Sequence, residues 1–355
     1  MDILDYLRKA VEDGASDLFI VAGGPVSYKR SGRIHPISDE RVYPEETSRL
    51  ITDLYAMAGR PMDGYLATGD DDFSFARSDL ARFRVNAYRQ RGSMAAVIRV
   101  VAFQIPDYRQ LGIPEGVMAL ADAAHGLILV SGTAGSGKST TQACIIDRIN
   151  RSREAHIITL EDPIEYLHRN QKSIVSQREI NIDTADCLSA LRACLRQAPD
   201  VVLLGEMRDY ETIRTAMTAA ETGHLVIATL HTKGTVNTID RIIDSFPPAQ
   251  QAQVRVQLAA VLHSVVSQQL VSAVGGGLVP ACEILHMTDA VRSMIRENKN
   301  HQIDGVIQTS AAEGMCSMDQ ALAELCRAGR ITADTAVANA DNPAQIQRRL
   351  ARNGN

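Results

Sequence analysis

Eight of the nine residues Gly132-Thr133-Ala134-Gly135-Ser136-Gly137-Lys138-Ser139-Thr140, those before Thr140, fit the spacing G-x-x-x-x-G-K-[ST]. The chemistry of that spacing is phosphate binding. Gly132, Gly135 and Gly137 permit a tight loop whose backbone N–H groups turn inward. A helix that follows the lysine adds its N-terminus, which attracts anions. Lys138 then supplies a point charge to the β- and γ-phosphates, and the Ser139 hydroxyl serves Mg²⁺. The apolar run LILVS precedes the loop, and a helical pattern over 139–150 follows it. That order distinguishes a nucleotide-binding loop from a glycine-rich turn.

Three more motifs end apolar runs. HIITL leads into Glu161-Asp162-Pro163-Ile164-Glu165, VVLLG into Glu206-Met207-Arg208-Asp209, and LVIATL into His231-Thr232. Open α/β sheets bind ligands at the carboxyl ends of their strands. Acids there hold Mg²⁺ and its waters, or orient an attacking water. Each acid alone also fits a helix cap or a surface ion pair. Together, beside the loop, they point to phosphoryl-transfer chemistry. Glu206 is the first choice for polarising the water and Glu161 the rival; the pattern does not separate them. His224 and His231 flank one strand seven residues apart, so a regular strand aims them at opposite faces. Arg84 and Arg99 lie on strand-like segments. They fit either solvated strand arginines or arginines that reach a nucleotide across a domain or subunit boundary.

These groups need two kinds of scaffold. The 355 residues suffice for about two domains. Residues 1–101 read as a small α+β domain, with helices over 2–13 and 44–57. Its strands are expected at 18–21, 27–30, 33–37, 73–76, 82–89 and 94–101. Phe83, Val85 and Ala87 alternate with Arg82, Arg84, Asn86 and Tyr88, as in a sheet packed on one face. Residues 102–114 read as a linker punctuated by Pro106, Gly112 and Pro114. Residues 115–345 read as an α/β domain, whose apolar runs alternate with helices as in a doubly covered parallel sheet. Its C-terminal part reads as helical over 250–270, 289–298, 317–328 and 333–340, with one strand at 278–284. Residues 346–355 are expected to be a disordered tail.

Composition removes several classes. With 42 acidic and 37 basic residues the net charge is −5, so no general field for nucleic acid exists. Aromatic residues are 4% with no Trp, too few for a base-stacking platform. The six cysteines form no CxxC pair, which removes a zinc ribbon and a thioredoxin-like site. They read as free thiols of a reducing cytoplasm. The N-terminus lacks a signal-peptide pattern, and no apolar run approaches 18 residues.

The chain resembles the type IV pilus retraction ATPases (PilT-type, of twitching motility), within the secretion-ATPase superfamily of RecA-like P-loop motors. The resemblance covers roughly residues 1–330. It rests on GASDL at 14–18, ARFRVNAY at 81–88, GTAGSGKSTT at 132–141, HIITLEDPIEYLH at 156–168 and VSQREI at 175–180. It continues in ALRACLRQAPDVVLLGEMRDYETI at 190–213, TAAETGHLVIATLHT at 218–232 and AVRSMIRENKNHQI at 290–303. Phe19, Thr133-Ala134 and Ala198 depart from the usual family residues, and none is a core catalytic group.

The resemblance implies an α/β fold with a PAS-like N-terminal domain, a RecA-like ATPase domain and a helical C-terminal extension. It makes residues 132–140 the Walker A motif. Glu161 and Asp162 join the acidic box, Glu206 is the Walker B glutamate, and His224 and His231 lie near the γ-phosphate. Arg84 and Arg99 are the N-terminal-domain arginines that approach the nucleotide. Ser139, Glu161 and Glu206 hold Mg²⁺ directly or through water, and no zinc is expected. The implied enzyme is a cytoplasmic homo-hexamer that splits ATP into ADP and phosphate. Its implied seat is the cytoplasmic face of the inner membrane at the pilus base. There it acts on a PilC-type platform protein and, through it, on the pilin fibre. A second retraction ATPase is an open partner; direct nucleic-acid binding and a membrane-spanning segment are not expected.

Competing readings are a pilus-extension or type II secretion ATPase and a non-motor accessory subunit that only binds ATP. AVRSMIRENK and the lack of four zinc cysteines oppose the first. The retained Lys138, Glu161, Glu206 and His231 oppose the second. A RecA-like DNA-processing enzyme is opposed by the charge and the scarce aromatics.

Overall fold

The computed structural model describes residues 1–30, 32–77, 79–101 and 105–351. Ser31 of the expected hairpin, residues 102–104 of the expected linker and residues 352–355 of the expected tail lie outside them. The chain forms two compact units, Met1–Gln104 with Glu165–Leu167, and Ile105–Ile164 with His168–Asn355.

The first unit opens with α1 (Ile3–Glu12), whose first turn is capped by the Asp2 carboxylate accepting from Asp5 N. It continues through β1 (Asp17–Ile20), β2 (Ser27–Arg30), β3 (Arg33–Pro36), α2 (Pro44–Ala58), α3 (Asp63–Thr68), β4 (Asp70–Arg77), β5 (Ala81–Gln90) and β6 (Ser93–Val101). The sheet order is β3-β2-β1-β6-β5-β4, with antiparallel neighbours throughout. Alternation along β5 does what period two dictates. Phe83, Val85 and Ala87 are fully buried in a core with Leu18, Leu50, Leu54 and Tyr65. Arg82, Arg84 and Asn86 face the other way.

The second unit begins with two short helices, α4 (Tyr108–Leu111) and α5 (Glu115–Met118). The α/β part comprises β7 (Gly126–Ser131), α6 (Lys138–Ser152), β8 (His156–Glu161), β9 (Ile174–Glu179), α7 (Cys187–Cys194), β10 (Val201–Leu204), α8 (Tyr210–Glu221), β11 (Leu225–Leu230) and α9 (Thr235–Asp244). There follow α10 (Pro248–Val261), β12 (Leu262–Ser272), β13 (Leu278–His286), α11 (Asp289–Arg296), α12 (Ile303–Thr309), α13 (Met318–Arg327), α14 (Ala333–Ala338) and α15 (Pro343–Ala351). The seven-stranded sheet has the order β13-β12-β7-β11-β10-β8-β9. All neighbours are parallel except β12 and β13. Both faces are covered. Leu127, Leu129, Val202, Leu204, Val226 and Ala228 enter one core, while Ile128, Val201, Leu203, Leu225 and Ile227 enter the other. Residues buried on both sides explain why these strands read as unbroken apolar runs.

Three expectations are corrected. The helix expected over 250–270 ends at Val261, and β12 starts at the next residue. No glycine or proline separates them, so the sequence lacks a breaker; the β-branched pair Val265-Val266 is the local strand signal. The expected linker contains helix α4, capped by Asp107 and stopped by Gly112 in the left-handed conformation. The expected tail is helical through Ala351, because Ile346 is buried among Leu322, Ile331 and Ala336. Strand β9 and helix α3 had no counterpart in the sequence reading.

The AVRSMIRENK stretch is a docked helix. Val291 and Ile295 of α11 are fully buried. Arg292 donates to the carbonyls of Ala259 and Ala260 at the end of α10. Among the described residues no helix is long and apolar enough to cross a membrane.

Candidate active site

Strand order brings the chemistry together. β7, β11, β10 and β8 are adjacent and parallel, so their carboxyl ends share one sheet edge. Along that edge stand the 132–137 loop, His231, Glu206 and Glu161 in turn.

Two loop glycines are required by contact. Gly132 has φ 147°, and a Cβ there would overlap the Gln268 carbonyl oxygen. Gly137 has φ 86°, and a Cβ there would stand 2.8 Å from Gln268 Nε2. Lys138 opens α6 and is only 8% exposed. Its Nζ donates to Gly132 O at 2.7 Å and Thr133 O at 2.9 Å. Burial pushes its pKa below the usual lysine value, and the nearby Glu206 charge pulls it back. Ser139 is exposed at the same helix N-terminus.

Glu206 follows β10. Its Oε1 lies 3.3 Å from His231 Nε2, and its Oε2 accepts from Arg208 Nε at 2.9 Å. His231 Nδ1 lies 3.4 Å from Lys138 Nζ. His231 therefore spans the loop lysine and the strand-end glutamate. Glu161 ends β8, and its Oε1 accepts from Thr159 Oγ1 at 2.6 Å and Gln177 Nε2 at 3.2 Å.

The residues fit a nucleoside triphosphate. A buried ammonium whose loop partners are neutral carbonyls sits at a helix N-terminus. The buried Ser136 hydroxyl has no hydrogen-bond partner. Both features suit an anion. Among the described residues no three His, Cys, Asp or Glu side chains form a metal site. Mg²⁺ on a nucleotide needs none, because it takes phosphate oxygens, waters and one or two protein oxygens.

His224 is not brought to the loop. It precedes β11, whereas the loop follows β7 at the far end of the paired strands. Six strand residues at about 3.3 Å each separate the two ends by about 20 Å. His224 Nδ1 instead lies 2.9 Å from Ala219 O and 3.2 Å from Thr222 Oγ1, at the end of α8. Arg84 and Arg99 belong to the first unit, where they are direct cross-strand partners. Arg99 Nε donates to Asp17 Oδ1 at 3.1 Å.

The sequence reading missed a polar layer behind the site. Thr238 Oγ1 donates to Ser131 Oγ at 2.9 Å and lies 2.8 Å from Thr232 Oγ1. Gly234 N donates to Ser267 Oγ at 2.8 Å. Ser267 and Gln268 belong to β12, and a helix over 250–270 had left them no route to the loop.

Residues 2–350 match the family model described as Type II/IV secretion system protein. The chain is similar to a Pseudomonas aeruginosa protein named "Type IV pilus retractation ATPase PilT". The two are 42% identical over 343 residues, 97% of this chain and 99% of that one. A Neisseria gonorrhoeae "Twitching motility protein" is 41% identical over 341 residues, 96% of this chain and 91% of its own length. The crystal structure of the pilus retraction motor PilT with bound ADP matches with a TM-score of 0.89 at 44% identity, covering 98% of this chain and 99% of that one. Matched along nearly its whole length in sequence and in fold, the chain belongs to the Type II/IV secretion system protein family.

Proposed function

We propose that this chain is an ATP-hydrolysing motor that drives type IV pilus retraction. The observation that carries the reading is the run Lys138, His231, Glu206 across adjacent strand ends. It occurs in a chain similar over nearly its full length to a protein named as a retraction ATPase. ATP sits with its phosphates on the 132–140 loop. Lys138 exchanges its loop carbonyls for β- and γ-phosphate oxygens. Ser139, with Glu206 and Glu161 serving directly or through water, would hold Mg²⁺, and the ion would neutralise charge on the phosphate oxygens. Glu206 orients the water for in-line attack and takes its proton, and His231 fixes the Glu206 carboxylate.

Hydrolysis becomes motion in a homo-hexamer at the cytoplasmic face of the inner membrane. There Arg84 and Arg99 of one subunit serve the nucleotide of the next. The ring works on a platform protein of the PilC type, which withdraws pilin from the fibre. The test is live imaging of labelled pili in a strain lacking this chain. Pili that extend but never shorten are expected. Bald cells would indicate an extension motor, and normal retraction either redundancy or an accessory subunit.

A further inference from the structure

Gln268 is 3% exposed and stands on β12, one residue beyond the register pair Ser267 and Ser131. It touches the phosphate-binding loop at both ends. Its carbonyl oxygen occupies the space a Gly132 side chain would need, and its amide nitrogen crowds Gly137. Its Nε2 donates to Ser136 O at 2.7 Å. Its Oε1 accepts from Thr141 Oγ1, in the first turn of α6, at 2.7 Å.

The orientation of this amide is fixed by its partners. Ser136 O can only accept, so the NH₂ group must face it and Oε1 must face Thr141. In a trans peptide the C=O and the following N–H point in opposite directions. Drawing the Ser136 carbonyl toward β12 therefore turns the Gly137 N–H away from Gln268. That N–H begins the helix whose N-terminus receives the phosphates.

We infer that Gln268 is a positioning residue, one that holds the Ser136–Gly137 peptide and α6 in the orientation that receives nucleotide phosphates. The inference rests on the ATP reading of the loop. Gln268 acts through Ser136 and Thr141 and sits behind the loop, so it contributes to binding and not to the chemical step. Uniform binding of ground state and transition state appears in KM, not in kcat.

The test uses the full chain and a fluorescent ADP analogue, with ATP turnover measured in parallel. The set is wild type, Gln268→Met, Gln268→Glu, Thr141→Val and Lys138→Ala. Gln268→Met leaves the Ser136 carbonyl and Thr141 hydroxyl unpaired, and Gln268→Glu sets a carboxylate against the carbonyl. The analogue Kd and the KM for ATP should rise about tenfold in both, with kcat within about twofold of wild type. Thr141→Val removes one hydroxyl and should raise Kd by about threefold. Unchanged Kd in folded Gln268 variants overturns the inference, as does a loss of kcat at constant KM. Where the Gln268 variants do not fold, Thr141→Val decides, a raised Kd supporting the role and an unchanged one rejecting it. Wild type binding no better than Lys138→Ala would instead overturn the ATP reading, and this inference with it.

Discussion

The imidazole of His231 stands 3.3 Å from the carboxylate of Glu206. Its other nitrogen, Nδ1, lies 3.4 Å from Lys138 Nζ. An ammonium can only donate, so Nδ1 accepts. The ring proton is thereby assigned to Nε2, facing Glu206. One histidine thus bridges the loop lysine and the strand-end acid.

That geometry makes Glu206→Gln informative. The amide keeps an oxygen toward His231 Nε2 but cannot accept the proton of an attacking water. Turnover should fall about 10²–10⁴-fold while nucleotide affinity stays within about threefold. A steady-state ATPase assay paired with nucleotide titration measures both. Turnover near the wild-type rate would pass the water-polarising role to Glu161.

Glu283 carries a different load. On β13 it accepts from Thr235 N at 2.7 Å, Thr235 Oγ1 at 2.8 Å and Met318 N at 3.3 Å. One buried carboxylate so caps α9, which follows the His231 loop, and α13. Burial holds its pKa above the usual glutamate value, with the three donors pulling it back. Glu283→Ala leaves those donors without their acceptor and should cost about 3 kcal/mol. Glu283→Gln keeps an acceptor oxygen and should cost about 1 kcal/mol. Urea unfolding distinguishes them; an Ala variant as stable as wild type rejects the capping account.

Legibility followed local chemistry. Gly132 and Lys138 were readable because the phosphate loop is a contiguous string between a strand and a helix. Glu161, Glu206 and His231 were readable because each ends an apolar run, and a parallel sheet gathers such ends on one edge. Their mutual distances were not readable, since they depend on the order β7-β11-β10-β8. The spacing already set His224 and His231 at the two ends of one strand; only the resemblance drew both to the γ-phosphate, and the strand keeps His224 at the end away from the loop. Gln268 and Glu283 lie on β12 and β13, whose contacts with the loop and with α9 span more than 40 residues of sequence. Such contacts leave no periodic trace. The helix expected across 250–270 hid Gln268 for the same reason, because α10 passes into β12 without a turn residue.

His168 sets an acid limit on stability. Burial pushes its pKa from 6.5 down to about 4, against a smaller upward pull from Asp147. Its buried Nδ1 has no hydrogen-bond partner. The unfolded chain takes up a proton below pH 6.5, and the folded chain resists until about pH 4. The contribution is therefore intact above pH 6.5 and is lost as the pH falls toward 4, to a total of about 3 kcal/mol. His168→Gln should flatten this part of the profile. Urea midpoints at pH 7 and pH 4.5 test it, and parallel slopes in the two proteins reject it.

Arg84 and Arg99 face each other directly across β5 and β6. Like charges in that position destabilise a sheet by about 0.2–1 kcal/mol. The Asp17 carboxylate partners Arg99 and offsets part of that cost. The like-charged pair is what the proposed service to a neighbouring subunit's nucleotide calls for. Arg84→Ala should leave the urea midpoint unchanged or slightly raised. Turnover should fall by about 10³-fold or more, with nucleotide affinity nearly constant. A mixing experiment tests the route. Arg84→Ala subunits keep Glu206, and Glu206→Gln subunits keep Arg84. If the arginine acts across a subunit boundary, rings mixed from the two contain some sites with both groups intact, and turnover rises above that of either variant alone. If it acts within one chain, every site lacks one group and mixing restores nothing.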